Sequence, residues 1–301
     1  MDVSLFAEQV LNGIGNGVVY GSVALALVLI FRTTGVLNFA QGEMALFSTF
    51  ISWKLTTVGL PVVGAIAISM AIAFIAGAVL ERTLIRPVEA GRSPLNVVIV
   101  TLGLFLGLNS VAQLIFGTDP QQMPSPFPQG RVDLFGSGSD AVDIRKSTIG
   151  LIVVLLVECL LLWLLLQRTR LGLKLRAVAA NPESARLHGI DAGTMLMLGW
   201  SLAAALGAVA GSLVAAQQTG FDGSLMQTIL VYAFAAAALG GFDSLLGAVV
   251  CGLVVGVANA LTIQYVDPLN GIETVLPLSM ILIVLVLKPN GLFGKATVER
   301  V

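Results

Sequence analysis

The stretch IGLIVVLLVECLLLWLLL, residues 149–166, decides the fold class of this chain. A helix of that length extends about 27 Å at 1.5 Å per residue, which nearly matches the roughly 30 Å hydrocarbon core of a bilayer. Of the 301 residues, 56% are hydrophobic and 11% are charged, whereas a soluble domain carries roughly 25% charged residues. The sequence therefore predicts an all-α integral membrane protein.

Further apolar stretches on both sides of this segment have the length of membrane-spanning helices. The stretch at 226–241 is short and rich in alanine and glycine, so a half-helix or re-entrant segment is the alternative there. We expect eight to ten transmembrane helices and a single transmembrane domain over residues 1–301. Together with 149–166, the predicted spans are 9–30, 39–58, 61–80, 94–116, 195–217, 226–241, 245–264 and 272–288.

Basic residues predict the orientation of the spans, because cytoplasmic loops retain lysine and arginine. With the N-terminus outside, residues 167–194 form a cytoplasmic loop. Residues 117–148 then form an extracytoplasmic loop, which either caps the outer mouth, contacts an external partner or serves as a solvated connector. Of the 16 basic residues, Lys54, Arg131, Arg145 and Lys146 lie outside, and the 12 on the cytoplasmic side are Arg32, Arg82, Arg86, Arg92, Arg168, Arg170, Lys174, Arg176, Arg186, Lys288, Lys295 and Arg300.

Composition and missing motifs exclude several classes of function. The formal net charge is −1, and no basic run with interleaved aromatic residues indicates binding of nucleic acid. The one histidine, His188, offers neither a metal constellation nor a catalytic pair. The two cysteines, Cys159 and Cys251, fall in apolar stretches and are expected to be small buried hydrophobes. No nucleotide-binding G-x-x-x-x-G-K-[ST] motif occurs. We therefore expect no cofactor, no metal and no ATPase site in this chain.

The predicted cytoplasmic loop contains a polar segment, RAVAANPESARLHGID, at residues 176–191. Asn181 is a good N-cap, Pro182 suits the first helical position and Gly189 suits the end of a helix. These signals predict a short amphipathic helix over residues 182–188. Such a helix is suited to docking into a groove of another protein, and an ordinary surface connector is the alternative.

This segment and three others resemble conserved stretches of one transporter family. The family is that of the branched-chain amino acid (LivH/LivM-type) permeases of ABC importers, and we favour its LivH side. The order of the four segments is the same, and the resemblance covers nearly the whole chain. Gln41 departs from the pattern, because the family often has histidine there. The other three segments are GVLNFAQGEMAL (35–46), ALGGFDSLLGAVVCG (238–252) and VLKPNGLFG (286–294).

The resemblance implies a permease subunit of an ATP-driven importer that carries branched-chain, hydrophobic amino acids across the bacterial inner membrane. Its implied partners are a homologous second permease subunit, two cytoplasmic ATP-binding subunits and an extracytoplasmic solute-binding protein, with lipid around the spans. The short cytoplasmic helix is then implied to be a coupling helix, which fits a cleft of the ATPase subunit. The coupling residues carried over are Glu183, Ala185, Arg186, Leu187, Gly189 and Ile190.

Polar residues inside spans are expensive in lipid and usually face the bundle interior or a water-filled path. The tightest group is NFAQGE, where Asn38 and Gln41 can share a helix face and Gly42 allows close backbone approach. We take Asn38, Gln41, Gly42 and Glu43 as candidates for the translocation path, with hydrogen bonding between helices as the alternative. The other polar residues within spans or at their ends are Asn12, Asn16, Asn96, Asn109, Gln113, Glu158, Gln217, Gln218 and Asn259.

The residues are also compatible with two other functions. The same superfamily includes permeases for urea and short amides, and the amides of the predicted path fit those solutes equally well. A stand-alone secondary transporter or channel is the second alternative, and it would use Glu43 and Glu158 as proton sites. Transport by the purified chain alone, driven by an ion gradient, would decide for it.

Overall fold

The computed structural model describes residues 3–89, 94–135, 142–266 and 271–294. Three basic residues used to predict orientation, Arg92, Lys295 and Arg300, lie outside these ranges. The elements in chain order are α1 (Val3–Thr34), α2 (Gln41–Thr57), α3 (Val62–Leu80), a π-helical turn (Glu81–Ile85), α4 (Arg86–Glu89), α5 (Pro94–Phe116), β1 (Arg131–Phe135), β2 (Val142–Arg145), α6 (Lys146–Arg168), α7 (Arg170–Ala180), α8 (Pro182–Leu187), α9 (Ala192–Ala215), α10 (Leu225–Gly240), α11 (Leu245–Tyr265) and α12 (Val275–Leu287).

Each of the predicted spans coincides with one helix, and the prediction of a multi-span helical membrane protein is confirmed. Within the described ranges, six helices are long and apolar enough to cross a membrane, namely α1, α3 with its continuation, α5, α6, α9 and α11. The other three spans are shorter helices: α2 has 17 residues, α10 has 16 and α12 has 13. The short stretch expected at 226–241 is thus α10.

The chain divides into two compact units, and α1 and α6 each contribute to both. The prediction of a single domain over residues 1–301 is not tested by this division. One unit comprises Met1–Val28, Phe127–Leu156 and Thr228–Val301, and the other comprises Leu29–Pro126 and Val157–Gln227.

In the first unit, α1 and α11 cross where both helices carry glycine at every fourth position. A Cβ atom on Gly256 would lie 2.3 Å from the backbone nitrogen of Gly17. A Cβ atom on Gly17 would lie 2.6 Å from the Cα of Leu253. Side chains cannot fit at these distances, so glycine is what allows the two backbones to touch. Small residues serve this purpose in membrane helices because apolar burial gives helices no advantage over lipid.

The first unit also contains an antiparallel hairpin, β1 and β2, within the segment predicted to be extracytoplasmic. Arg131 pairs in register with Arg145. The Arg131 guanidinium donates to both oxygens of Asp143 at 3.1 Å, and Arg145 donates to the side chain of Asn12 at 2.9 Å. With Glu8, these residues line a polar cavity of about 120 Å³. The predicted loop is therefore partly structured, and charged contacts hold it to the start of α1.

In the second unit, α9 packs against both α2 and α3. Its small residues permit this: a Cβ atom on Gly211 would meet the Thr49 hydroxyl of α2, and one on Gly207 would lie 2.8 Å from Nε2 of Gln41. From α3, a Cβ atom on Gly77 would lie 2.8 Å from the carbonyl oxygen of Trp200. Helix α2 also contacts α3 and α5. Three helices of its unit, α3, α5 and α9, therefore surround it.

Replacing Gly256 by alanine tests the crossing of α1 and α11. We expect Gly256→Ala to lower the free energy of unfolding by about 1–3 kcal/mol, the usual range for overpacking. The control is Gly107→Ala in α5, where the added Cβ meets nothing within 4 Å. That change should raise stability by up to about 1 kcal/mol, since alanine is the better helix former. Thermal or denaturant unfolding in detergent measures both, and equal responses of the two variants would contradict the close crossing.

Candidate functional site

The segment between α6 and α9 begins with a sharp turn at Thr169. The Thr169 hydroxyl accepts the backbone N–H of Gly172 at 3.0 Å and caps α7. A Cβ atom on Gly172 would clash with the carbonyl oxygen of Leu165, which lies 2.1 Å from its position. Glycine therefore lets α7 fold back closely on the end of α6. This turn was not predicted from the sequence, which indicated only a cytoplasmic loop after residue 166.

The short helix predicted over 182–188 is α8, which ends one residue earlier, at Leu187. Asn181 caps it as expected: its Oδ1 accepts the backbone N–H of Ser184 at 2.8 Å. The end is closed by Gly189 at φ +77°. There the carbonyl of Ala185 accepts two backbone N–H groups, that of Ile190 at 3.0 Å and that of His188 at 3.1 Å, as is usual where a glycine ends a helix. Local sequence signals thus define both ends of α8.

Of the six coupling residues carried over from the resemblance, two are at least partly buried and four are exposed. Ala185 is already buried within this chain, so it is not available to a partner, and Ile190 is half-buried. Leu187 is 88% exposed. It therefore presents a free apolar side chain beside polar neighbours, and Glu183, Arg186 and Gly189 are the remaining exposed positions.

The exit from α8 is fixed by Asp191, which caps α9. Its carboxylate accepts hydrogen bonds from the backbone N–H and the hydroxyl of Thr194. The hydroxyl hydrogen bond is the main reason that the pKa of Asp191 lies below its usual value, and the backbone bond and the nearby Arg86 act in the same direction. His188 needs no ligand to explain it, because its Nδ1 lies 2.8 Å from the Ser184 carbonyl. In the described part of the chain no three acidic, histidine or cysteine side chains group as a metal site.

The path candidates are brought together where α1 gives way to α2. Asn38, Gln41 and Glu43 are all buried. The Asn38 side chain accepts the backbone N–H of Ala40 at 3.0 Å, and its Nδ2 lies 3.4 Å from Oε1 of Gln41. The Asn38 side chain thereby supplies an acceptor for a backbone N–H that the break between α1 and α2 would otherwise leave without a hydrogen bond.

This break lies deeper than the sequence suggested. Gln41, the first residue of α2, donates from Nε2 to the carbonyl of Ala203 at 2.9 Å. Ala203 is the twelfth of the 24 residues of α9, so α2 begins level with the middle of that helix. The start of α2 therefore lies beside the middle of α9 and not beside one of its ends. Broken helices at such a depth are typical of solute sites in transporters.

Glu43 belongs to a polar chain that also includes α5 and the connection before α10. Asn109 donates from Nδ2 to Oε2 of Glu43 at 2.8 Å and to the carbonyl of Gly223 at 2.7 Å. Gln113 in turn donates to Oδ1 of Asn109 at 2.5 Å. The second carboxylate oxygen of Glu43 is buried and has no hydrogen-bond partner among the described residues. The sequence marked Asn109 and Gln113 as polar residues in a span, but it could not show that they meet Glu43.

The sequence missed one connection entirely. Arg86, counted only as a cytoplasmic basic residue, forms an ion pair with the buried Glu81 at 2.9 Å and a hydrogen bond to the carbonyl of Gly193 at 2.8 Å. It thereby joins the end of α3 to the start of α9. The opposite charges of Glu81 and Arg86 were visible in the sequence. They did not indicate an ion pair, because side chains five residues apart do not normally meet on an α-helix.

Comparisons with known proteins agree with this architecture. The family model described as "Branched-chain amino acid transport system / permease component" matches residues 9–287. The chain is 29% identical to the high-affinity branched-chain amino acid transport system permease protein BraD of Pseudomonas aeruginosa, over 98% of both chains. It is 28% identical to LivH of Escherichia coli K12, also over 98% of both. It is 30% identical to the galactofuranose transporter permease protein YtfT of E. coli, over 55% of this chain and 46% of that protein.

The lengths of these matches show which family the chain belongs to. The family model spans far more than half of the sequence, and the two LivH-type relatives align from end to end. The six long apolar helices are consistent with the same assignment. The chain therefore belongs to the family of ABC transporter permease components for branched-chain amino acids, on its LivH side, and is a multi-pass protein of the inner membrane.

Proposed function

We propose that this chain is the permease subunit of an ATP-driven importer for branched-chain, hydrophobic amino acids and is coupled to a separate ATPase through residues 176–191. The printed names of BraD and LivH, aligned over 98% of this chain, support the solute class. The observation that carries the coupling proposal is α8, which is capped at both ends and presents Leu187 to a partner. The hydrolysis of ATP takes place on the partner subunits.

In the coupling step, α8 fits a cleft of an ATP-binding subunit. Burying a leucine side chain contributes about 1.5–3 kcal/mol, so Leu187 supplies the apolar anchor of the contact. Glu183 and Arg186 are exposed on the same short helix and suit the polar rim of such an interface. Because both ends of α8 are closed by hydrogen bonds, the helix can transmit a push without unwinding.

The solute passes the break between α1 and α2. A branched-chain amino acid has a zwitterionic head and an apolar tail, and it requires a few well-placed polar groups among small residues. Asn38, Gln41 and Glu43 supply amides and one carboxyl group beside the middle of α9, and the buried Gly42 adds no side chain among them. In the proposed cycle these groups take the place of water around the head of the solute.

The working assembly contains a homologous second permease subunit, two ATP-binding subunits and an extracytoplasmic solute-binding protein. The hairpin of β1 and β2, with its exposed Arg131, lies in the segment proposed to face that binding protein. The binding protein selects the solute in this arrangement. Urea or short amides are therefore the alternative solutes, and the partial match to a galactofuranose permease supports the view that related permeases differ in solute.

A stand-alone secondary transporter is the second candidate function. One observation favours it: Glu43 is buried, and in the part of the chain that the structure describes its side chain has one hydrogen-bond donor, Asn109. Acids in such surroundings serve as proton sites in transporters. The coupling helix argues against this function, because a carrier driven by an ion gradient has no use for an ATPase-docking segment.

Shortening Leu187 tests the coupling contact. We expect Leu187→Ala to weaken association with the ATP-binding subunits by about 2 kcal/mol, or more than tenfold in affinity. Uptake should fall with it. The matched control is Leu173→Ala in α7, which removes another exposed leucine side chain, 60% exposed against 88% for Leu187, from the same segment. Co-purification and uptake by the reconstituted complex measure both, and a Leu187→Ala complex that assembles and transports normally would refute the contact.

The side of the membrane can be tested with a single cysteine at Ser184. Its side chain is exposed in α8 and only its backbone N–H takes part in the cap, so Ser184→Cys should fold normally. An impermeant thiol reagent should label it from the cytoplasmic face and not from outside. Val132→Cys, in the hairpin, should show the reverse pattern. Labelling of Ser184→Cys from outside would overturn the orientation and the ATPase contact together.

Removing the charge of Glu43 tests the proposed path. In Glu43→Gln the side chain keeps its shape, and we expect uptake by the assembled complex to fall about tenfold while ATP hydrolysis continues. This magnitude corresponds to the loss of one charge-assisted hydrogen bond, about 1.5–3 kcal/mol. The control is Glu158→Gln, the same change at another buried glutamate. Equal losses of ATP-driven uptake in both variants would contradict a role in the path that is specific to Glu43. Proton-driven uptake by the purified chain alone would favour the secondary transporter.

A further inference from the structure

Arg86 makes three hydrogen bonds that join two separate parts of the second unit. Its Nε donates to Oε1 of Glu81 at 3.1 Å, and its Nη2 donates to Oε2 of the same carboxylate at 2.9 Å. Nη2 also donates to the backbone carbonyl of Gly193 at 2.8 Å. The guanidinium is therefore shared between the continuation of α3 and the first turn of α9.

The π-helical turn Glu81–Ile85 is what allows Glu81 and Arg86 to meet. In a regular α-helix, residues five apart are rotated by about 140° and face different directions. In the π-turn the backbone N–H of Arg86 donates to the carbonyl of Glu81. This wider turn brings the two side chains to one side of the helix. Such turns are rare and often occur at functional sites.

The surroundings of the guanidinium are shaped to hold it. Glu81 has a side-chain exposure of 0%, and that of Arg86 is 37%. A Cβ atom on Gly193 would lie 3.1 Å from Cζ of Arg86, so a glycine at the start of α9 leaves room for the guanidinium. The planar fork of arginine can hold a carboxylate with two donors and still reach a third acceptor. Lysine has no such geometry.

Both ends of this connection are held firmly. On the α3 side, Gly77 packs directly against the backbone of α9 near Trp200. On the α8 side, Ile190 is bonded back to Ala185, and Asp191 caps α9 two residues before Gly193. A displacement of α8 therefore reaches Gly193 through very few rotatable bonds. From there the guanidinium is the direct polar link to α3.

We propose that Arg86 is a positioning residue that transmits movement of α8 to α3 through its hydrogen bonds to Gly193 and Glu81. This inference rests on the proposed ATPase coupling through α8. Closure of the ATPase subunits displaces α8, the start of α9 moves with it, and Arg86 pulls the end of α3 along. Helix α3 packs against α2, which begins at the proposed solute path. Without the link, α8 moves and the path does not respond fully.

A double substitution tests this role without leaving a buried charge unpaired. Glu81→Met/Arg86→Met removes both partners, so no uncompensated charge is left at the buried position 81. The experiment uses the full complex in proteoliposomes with the solute-binding protein and leucine as probe, and it measures leucine uptake and ATP hydrolysis in parallel. The readout is the amount of leucine taken up per ATP hydrolysed. The matched control is Arg82→Met, which removes the exposed arginine of the same π-turn.

We expect the double variant to lower leucine uptake per ATP at least about fivefold, the lower end of typical couplings between sites. Arg86→Lys should lower it less, and Arg82→Met should leave it unchanged. Gly193→Ala provides a variant that does not touch the charges. Alanine favours the helix, but its Cβ crowds the guanidinium, so uptake per ATP should fall here too while the complex stays assembled.

A wild-type ratio in the double variant, or in Gly193→Ala if the double variant does not assemble, would overturn the role of Arg86. Failure of the underlying coupling proposal has a different signature. In that case Leu187→Ala would leave assembly and uptake intact. A loss of coupling in Leu187→Ala together with normal coupling in the Arg86 and Gly193 variants would retain α8 as the ATPase contact and eliminate only the link.

Discussion

The requirement that no backbone polar group be left open in hydrocarbon governs this structure. Continuous helices meet it by themselves, but the break between α1 and α2 does not. A side chain meets it there, because Asn38 accepts the N–H of Ala40. Gln41 ties the start of α2 to α9 by donating to the carbonyl of Ala203. These two amides belong to the path that we propose for the solute. Structural necessity and the proposed path therefore coincide in one short segment.

Close packing of backbones is the second requirement, and it explains where the glycines lie. Glycines bring α1 against α11 in one unit and α2 and α3 against α9 in the other. Such contacts have little freedom to slide, because a shift of one residue would place side chains where only hydrogen atoms fit. Movements within a unit are therefore passed on rather than absorbed. The guanidinium of Arg86 adds a polar connection to the same rigid set of helices.

The sequence predicted the features that depend on local composition. Hydropathy located the helices of the nine predicted spans, and the caps of α8 followed from Asn181, Pro182 and Gly189. The depth of α2 could not be predicted, because residues 39–58 have the composition of an ordinary span and only the bond from Gln41 to α9 reveals where it begins. The Glu81–Arg86 pair was also inaccessible. It depends on a π-turn, which has no recognised sequence signature, and on Gly193, more than 100 residues away.

The shortness of α12 has a consequence for the surrounding lipid. Its 13 residues extend only about 20 Å, against roughly 30 Å of hydrocarbon. Bilayers adapt to short segments by local thinning, at fractions of a kcal/mol per ångström of mismatch. Val286 and Leu287 at its end are largely exposed, and local thinning would bring lipid tails to these apolar side chains. The hydrophobic mismatch at α12 should therefore be smaller in bilayers with short acyl chains than in thick, sterol-rich bilayers.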